Sequence, residues 1–330
     1  MRGTETRGRL RGHLLAVGAI LVWGTTFITS KVLLRDFSTV QVMETRFLIA
    51  YFTMLALSHK RRKTELRDEL LFLLLAVTGV TLYFVFENSA LTVTYASHVS
   101  ILLSAAPILT ALLAHFFTRE KITAALLGGS AAAFAGVALV VFNGSVVLRL
   151  RPAGDLLCIG AALSWAVYSV LLGHALRRFD SLFLTRRVLF YAVLTTAPLL
   201  LLKHRAVPWA AFLRPEVAGG FLFLGVLGSG ACYAVWNAAV RALGVVTTNN
   251  YIYFSPFITM AAAALLLGEP VTPMGVGGTL LILAGVFTAG LKKRPAPKAA
   301  QTEETPPPEE TLPPEEAALP AGGADTEADA

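Results

Sequence analysis

The chain has 330 residues, 55% of them hydrophobic and only 15% charged, with a mean hydropathy of +0.65. Soluble domains carry about 25% charged residues, and a monomer in water cannot hide this much apolar surface; a soluble globular fold is excluded, and a bilayer is the natural solvent. The net charge of +7 conceals an asymmetry that argues against nucleic-acid binding: residues 1–294 carry 27 basic and 12 acidic side chains, net +15, whereas 295–330 carry Lys298 against nine carboxylates, net −8.

A hydrocarbon core about 30 Å thick is crossed by roughly 20 apolar residues in a helix. Spans are therefore predicted at 13–34, 39–58, 69–90, 95–117, 121–143, 153–175, 182–203, 216–241, 246–267 and 272–291, an all-α polytopic membrane protein of ten transmembrane helices. A membrane β-barrel would alternate in segments of about ten residues and is excluded by these solid apolar runs. Ahead of the first span, residues 1–12 form a basic segment with Arg2, Arg7, Arg9 and Arg11. The apolar run Leu14 to Leu34 that follows is too long for a cleaved signal, whose apolar core is about 7–15 residues.

The second span carries Glu44 and Arg46, and the third carries Glu87 and Asn88. Ionised groups in lipid cost at least a few kcal/mol, so they face one another, a cavity or an interface. Glu44 and Arg46 are two apart and do not share a helical face; a contact between Arg46 and Glu87 across the two helices is the alternative. His98 follows, either titrating or holding structure. Pro107 in the fourth span and Pro256 in the ninth are expected to kink their helices, each freeing a carbonyl, and so to shape or gate a cavity. Asn249 and Asn250 add donors and acceptors just before Pro256. Cys158 and Cys232 fall inside spans and read as small apolar fillers. The connections at 91–95, 118–121 and 268–272 are short enough to make antiparallel hairpins. Beyond Arg294 the Pro- and Glu-rich sequence cannot bury enough apolar surface to order itself.

The two halves resemble each other. At an offset of 142, VGAILVW (17–23) meets IGAALSW (159–165), with Trp23 on Trp165. At 149, Gly79 meets Gly228, Asn88 meets Asn237, Pro107 meets Pro256, Glu120 meets Glu269, Gly128 meets Gly277 and Gly136 meets Gly285. Five helices per repeat is an odd number, so the second repeat enters the membrane from the opposite side. Inverted repeats of this kind build two related half-channels around a mid-membrane site. The chain accordingly divides into the basic N-terminus (1–12), a first repeat (13–143), a loop (144–152), a second repeat (153–291) and a disordered tail (292–330).

These features, with WGTTF at 23–27 and its partial counterpart WAVYS at 165–169, and the paired stretches 83–123 and 233–270, resemble the drug/metabolite transporter superfamily, within its EamA-domain group. The resemblance covers 13–291. It implies a ten-helix inverted-repeat secondary carrier in the cell membrane that moves amino acids, amines, metabolites or drugs, including by export. A non-transporting membrane scaffold is the alternative, and a filled centre with an exposed interaction face would mark it.

Candidate substrate or coupling-ion residues are Glu44, Arg46, Glu87, Asn88, Trp23, Trp165, Arg187, Asn249, Asn250 and Tyr253. A carboxylate binds a substrate amine or cycles a proton, an arginine holds a substrate carboxylate, and aromatic residues near span centres wall a pocket. Arg187 lies near the position matching Arg46, whereas Thr185 and Trp236 match Glu44 and Glu87, so the acidic groups belong to one half only. Glu120 and Glu269 suit carboxylates facing the N-termini of the following helices. Gly128, Gly136, Gly277 and Gly285 provide close helix contact, between the halves or between subunits of a homodimer. No Walker A, HxxxH, CxxC or GxSxG pattern occurs, so neither an enzyme nor a cofactor is expected. The expected partners are the lipid bilayer, a small-molecule substrate and either a proton or a counter-substrate. With both termini cytoplasmic, 20 of the 28 basic residues fall on the inner side, in keeping with the positive-inside bias.

Overall fold

A computed structural model describes residues 2–59, 62–93, 99, 102–118, 123–142, 152–202, 206–267 and 273–290. His98, Glu120, Glu269, the loop before 152 and the acidic tail lie outside them, as do most residues of the three short connections. Within them every regular element is helical. The order is α1 (Arg2–Leu33), α2 (Thr39–Leu57), α3 (Leu66–Val93), α4 (Ala106–Thr118), α5 (Ala124–Phe142), α6 (Pro152–Ala175), α7 (Ser181–Leu202), α8 (Pro215–Leu243), α9 and α10 (Pro273–Gly290). The composite α9 runs through an α segment Val245–Asn249, a 3-10 segment Asn250–Phe254 and an α segment Ser255–Leu267.

Six helices, α1, α2, α3, α6, α7 and α8, are long and apolar enough to cross a membrane, and they fall on the spans predicted from 13, 39, 69, 153, 182 and 216. The remaining predicted spans hold the shorter apolar helices. The basic segment before residue 13 is continuous with α1. Large apolar side chains such as Phe52, Leu70, Phe116, Leu201 and Phe287 point outward, which is the expected arrangement when lipid is the solvent.

Two local departures from α-helix position the interior. In α3 the stretch Val77–Leu82 is π-helical, and in α8 so is Phe223–Ala231; at the offset of 149 the first maps onto 226–231. Widening a helix in this way leaves carbonyls for side chains to satisfy. Ser164 donates to Thr78 O at 2.6 Å and Tyr233 to Gly79 O at 2.9 Å, while Trp23 Nε1 donates to Gly228 O at 2.8 Å. Gly79 is a close approach: a Cβ there would sit 2.1 Å from the Tyr168 ring.

Helices α5 and α10 pack along each other through glycines, but not all of those expected. A Cβ on Gly129 would lie 2.4 Å from Ala289 N, and one on Gly136 2.6 Å from Gly278 O. Gly285 is equally constrained, 2.4 Å from Ala133 N. Gly128 and Gly277 have nothing within 4 Å. Their immediate neighbours Gly129 and Gly278 make the contact instead, because one residue is about 100° of helical rotation.

The prolines also differ from the expectation. Pro107 and Pro256 each occupy the first turn of an α segment, starting at Ala106 and Ser255, where a missing N–H removes no internal hydrogen bond. The interruption lies upstream, in the turn at Ser104–Ala105 and in the 3-10 segment Asn250–Phe254.

Candidate functional site

A cavity of about 60 Å³ lies among α1, α2, α3, α4, α6, α8 and α9. At roughly 30 Å³ per water it holds a couple of water molecules, well below the 300 Å³ and upward of an open ligand pocket. Its wall is largely aromatic, formed by Trp23, Tyr83, Phe84, Trp165 and Tyr233. Trp23 meets Trp165 and Tyr233 edge to face, 5.6 Å from each, and Tyr83 lies tilted 5.3 Å from Trp165. The two charged residues in the wall are Arg46 and Glu87.

The four lining residues from the second half are Trp165, Tyr233, Ile252 and Ser255. Each has its repeat counterpart in the same wall: Trp23 at an offset of 142, and Phe84, Leu103 and Ala106 at 149. Leu103, Ser104 and Ala106 before Pro107, and Ile252 and Ser255 before Pro256, bring both helix interruptions to the cavity surface.

Arg46 is 1% exposed. Its Nε donates to Ser229 Oγ at 2.8 Å, and its guanidinium lies 4.3 Å from the centre of the Phe84 ring. Among the described residues, buried Nη1 has no hydrogen-bond partner. Glu87, also buried, has the Tyr83 hydroxyl one turn back as its hydrogen-bonding neighbour. The two share a cavity, but among the described residues they form no ion pair: Arg46 turns to Ser229 on α8 instead.

The other candidates scatter. Glu44, on α2 like Arg46, faces α7 and accepts a hydrogen bond from Thr196 there, whereas Arg46 faces α8. Arg187 lies at the end of the bundle, paired with Glu69, which also accepts from Thr64 and, at 2.7 Å, from Tyr191. Asn249 is adjacent to the cavity rather than in its wall; its Oδ1 accepts from Trp165 Nε1 at 2.9 Å and from Ser169 Oγ at 3.3 Å, and its Nδ2 donates to Val245 O. Asn250 is buried with Oδ1 unpartnered. Asn88 is wholly buried with both amide atoms unpartnered, whereas its repeat counterpart Asn237 donates to Thr185 Oγ1 at 2.9 Å. Tyr253 packs with Ala133 and Ile282 against α5 and α10 and does not line the cavity.

Sequence reasoning missed Ser229, Phe84 and Ser255. Phe84 and Ser255 are repeat counterparts of Tyr233 and Ala106, but neither an apolar ring nor a small residue in an apolar run marks a cavity wall. The counterpart of Ser229 is Val80, and nothing in a lone serine marks it as a partner of Arg46.

Beyond Trp165 and Asn249, at the end of the bundle carrying Arg177 and Arg241, a cleft of about 490 Å³ opens between α4, α6, α8 and α9. Gly173 and Val245 line it, and a Cβ on Gly173 would come 2.4 Å from the Val245 side chain. This cleft and the central cavity share no lining residue.

Comparison with known proteins agrees with the helical bundle. An uncharacterized transporter of Archaeoglobus fulgidus is 29% identical over 286 residues, covering 85% of this chain and 98% of its own. A probable terminal-alkyne amino-acid exporter of Streptantibioticus cattleyicolor is 27% identical, covering 81% and 89%. A probable amino-acid metabolite efflux pump of Salmonella typhimurium is 24% identical, covering 83% and 92%. A solved crystal structure superposes with a TM-score of 0.72 at 18% identity, over 85% of this chain and 98% of that one, a likeness of fold alone. The EamA-like transporter family matches twice, at residues 10–142 and 152–291; the chain belongs to that family, within the drug/metabolite transporter superfamily, and is a multi-pass membrane transporter of small solutes.

Proposed function

We propose that the central cavity is the substrate site of a secondary carrier for small amino-acid-like zwitterions with an apolar or aromatic side chain, exported by alternating access. The observation that carries this is Arg46: a buried guanidinium with one nitrogen unpartnered, facing a cavity that also holds Glu87. Arg46 Nη1 takes the substrate carboxylate, Glu87 its ammonium group, and the rings of Trp23, Trp165 and Tyr233 its side chain. Glu87 takes a proton in exchange when the substrate leaves. The names of the Streptantibioticus and Salmonella relatives point to amino-acid solutes as well.

In this reading the fold is ten helices in two inverted repeats, 13–143 and 153–291, joined by 144–152, with the basic residues 1–12 and the tail 292–330 on the cytoplasmic side. The four pairs of repeat-related residues around one cavity support a pseudo-two-fold axis through it. The small volume fits an occluded state, and the cleft at Arg177 and Arg241 fits a vestibule behind a closed gate at Trp165 and Asn249. Glu44, Asn88 and Asn250 are assigned to helix packing, and Arg187 to the pairing of helix ends.

The test is flux in vesicles containing the purified protein, with phenylalanine, its amide (lacking the carboxylate) and 3-phenylpropionate (lacking the ammonium group) as competing solutes. The zwitterion should compete at least about tenfold better than either truncated analogue. Equal competition by all three would refute the two-point recognition, and a transport-active protein indifferent to all three would refute the substrate class. A scaffold would give no flux with any solute.

A further inference from the structure

A second open space shares no lining residue with the central cavity and takes no part in the function proposed above. It is a cleft of about 570 Å³ between the C-terminal end of α2 and the N-terminal end of α7. Tyr51, Leu55 and Phe190 form its apolar wall, and Arg62, Arg186 and Arg187 its rim; none of the lining residues is a carboxylate. The carboxylates nearby are already engaged, Glu69 by Arg187 and Asp68 by Arg178 at 2.7 Å. Backbone contacts fix the rim, since Arg186 donates to Ser58 O, and Arg62 to Arg178 O at 2.9 Å while lying 5.2 Å from the Phe179 ring centre.

The chemistry of this cleft is split by depth. Cations sit at the helix ends, where headgroups lie, and the apolar wall continues toward the bundle middle, next to the exposed Phe52 and Leu57 that face lipid. A water-soluble anion would use the rim and leave the wall empty. A zwitterionic lipid would use the wall and bring no net charge to a rim that carries three guanidinium groups, of which Glu69 offsets Arg187. We propose that the cleft binds an anionic phospholipid, its headgroup phosphate on the arginine rim and an acyl chain along Tyr51, Leu55 and Phe190. The lipid then bridges α2 and α7, the equivalent helices of the two halves, and belongs to the folded carrier.

Native mass spectrometry of the purified, delipidated full chain, titrated with phosphatidylglycerol or phosphatidylcholine of matched acyl chains, tests this. Phosphatidylglycerol should bind at least about tenfold more tightly, Arg62→Gln should weaken it by about fivefold, and Arg62→Lys should restore it. Arg67 lies at the same end, is exposed and does not line the cleft, so Arg67→Gln should leave binding unchanged. Equal binding of the two lipids, or an equal loss in Arg67→Gln and Arg62→Gln, would overturn the proposal. So would displacement of the lipid by inorganic phosphate alone, which would make the occupant a soluble anion. Circular dichroism on each variant separates lost binding from lost folding.

Discussion

Replacing Arg46 by methionine should separate the two roles that a buried arginine can have. In the structure the guanidinium is held by one neutral acceptor, Ser229 Oγ at 2.8 Å, and by the Phe84 ring, with no carboxylate paired to it. Methionine keeps most of the aliphatic volume and removes the desolvated charge. Burying an ion costs several kcal/mol of desolvation, which removal of a guanidinium without an ion-pair partner recovers, against about 1 kcal/mol for the lost bond to Ser229. The melting temperature of Arg46→Met in detergent should therefore equal or exceed that of the wild type. Transport should move the other way. A charge-assisted hydrogen bond to a substrate carboxylate contributes about 1.5–3 kcal/mol, so KM in reconstituted vesicles should rise about 10- to 150-fold. Arg46→Lys keeps the charge but cannot reach Ser229 and the substrate together, and should fall between. A variant that loses stability and transport in parallel would mean that Arg46 is a structural group, and the substrate site would have to be sought elsewhere.

Two further expectations use neighbouring residues as controls. Gly129→Ala forces a Cβ to 2.4 Å from the Ala289 backbone and should lower stability by about 1–3 kcal/mol, while Gly128→Ala, with nothing within 4 Å, should melt with the wild type; indistinguishable melting curves would contradict the α5–α10 seam. Glu87→Gln should bind substrate more weakly, measured as a smaller ligand-induced rise in melting temperature, and lose pH-driven accumulation in vesicles even at saturating substrate. A pH dependence that survives the substitution would remove Glu87 as the proton carrier.

The sequence made the long helices legible because their length and apolarity are set by the bilayer alone. The repeat was legible through proline, asparagine and glutamate held at one offset, residues that do not recur by chance in apolar runs. What escaped was orientation within a helix. Tyr253 was expected in the cavity, but Ile252 and Ser255 line it, since adjacent residues point about 100° apart. Gly128 and Gly129 are equally small, and only packing distinguishes them. The pairing of Arg187 with Glu69 was hidden because each residue alone reads as an end-of-helix charge. The π segments at Val77–Leu82 and Phe223–Ala231 leave no mark in composition, although their repetition at 149 residues follows from the repeat once one of them is seen.

The repeat-related tryptophans make unequal bonds, and that inequality has a testable meaning. Trp23 Nε1 donates to the carbonyl of Gly228 in the π segment of α8. The corresponding acceptor for Trp165 is the carbonyl of Gly79, but Tyr233 occupies it at 2.9 Å and Trp165 donates to Asn249 instead. If the two halves exchange conformations during transport, Trp165 should move to Gly79 when the gate toward Arg177 and Arg241 opens, and Tyr233 should let go. Tyr233→Phe leaves the ring in the cavity wall and frees that carbonyl. One neutral hydrogen bond is worth about 1 kcal/mol, so the population open toward Arg177 and Arg241 should rise about fivefold. A cysteine placed at Ser255, in the cavity wall, reports this as faster labelling by a membrane-impermeant thiol reagent applied at that end. The native Cys158 and Cys232 are buried and should contribute a low, constant background. Unchanged labelling would show that the Tyr233 bond does not hold the gate, and slower labelling would reverse the assignment of the closed side.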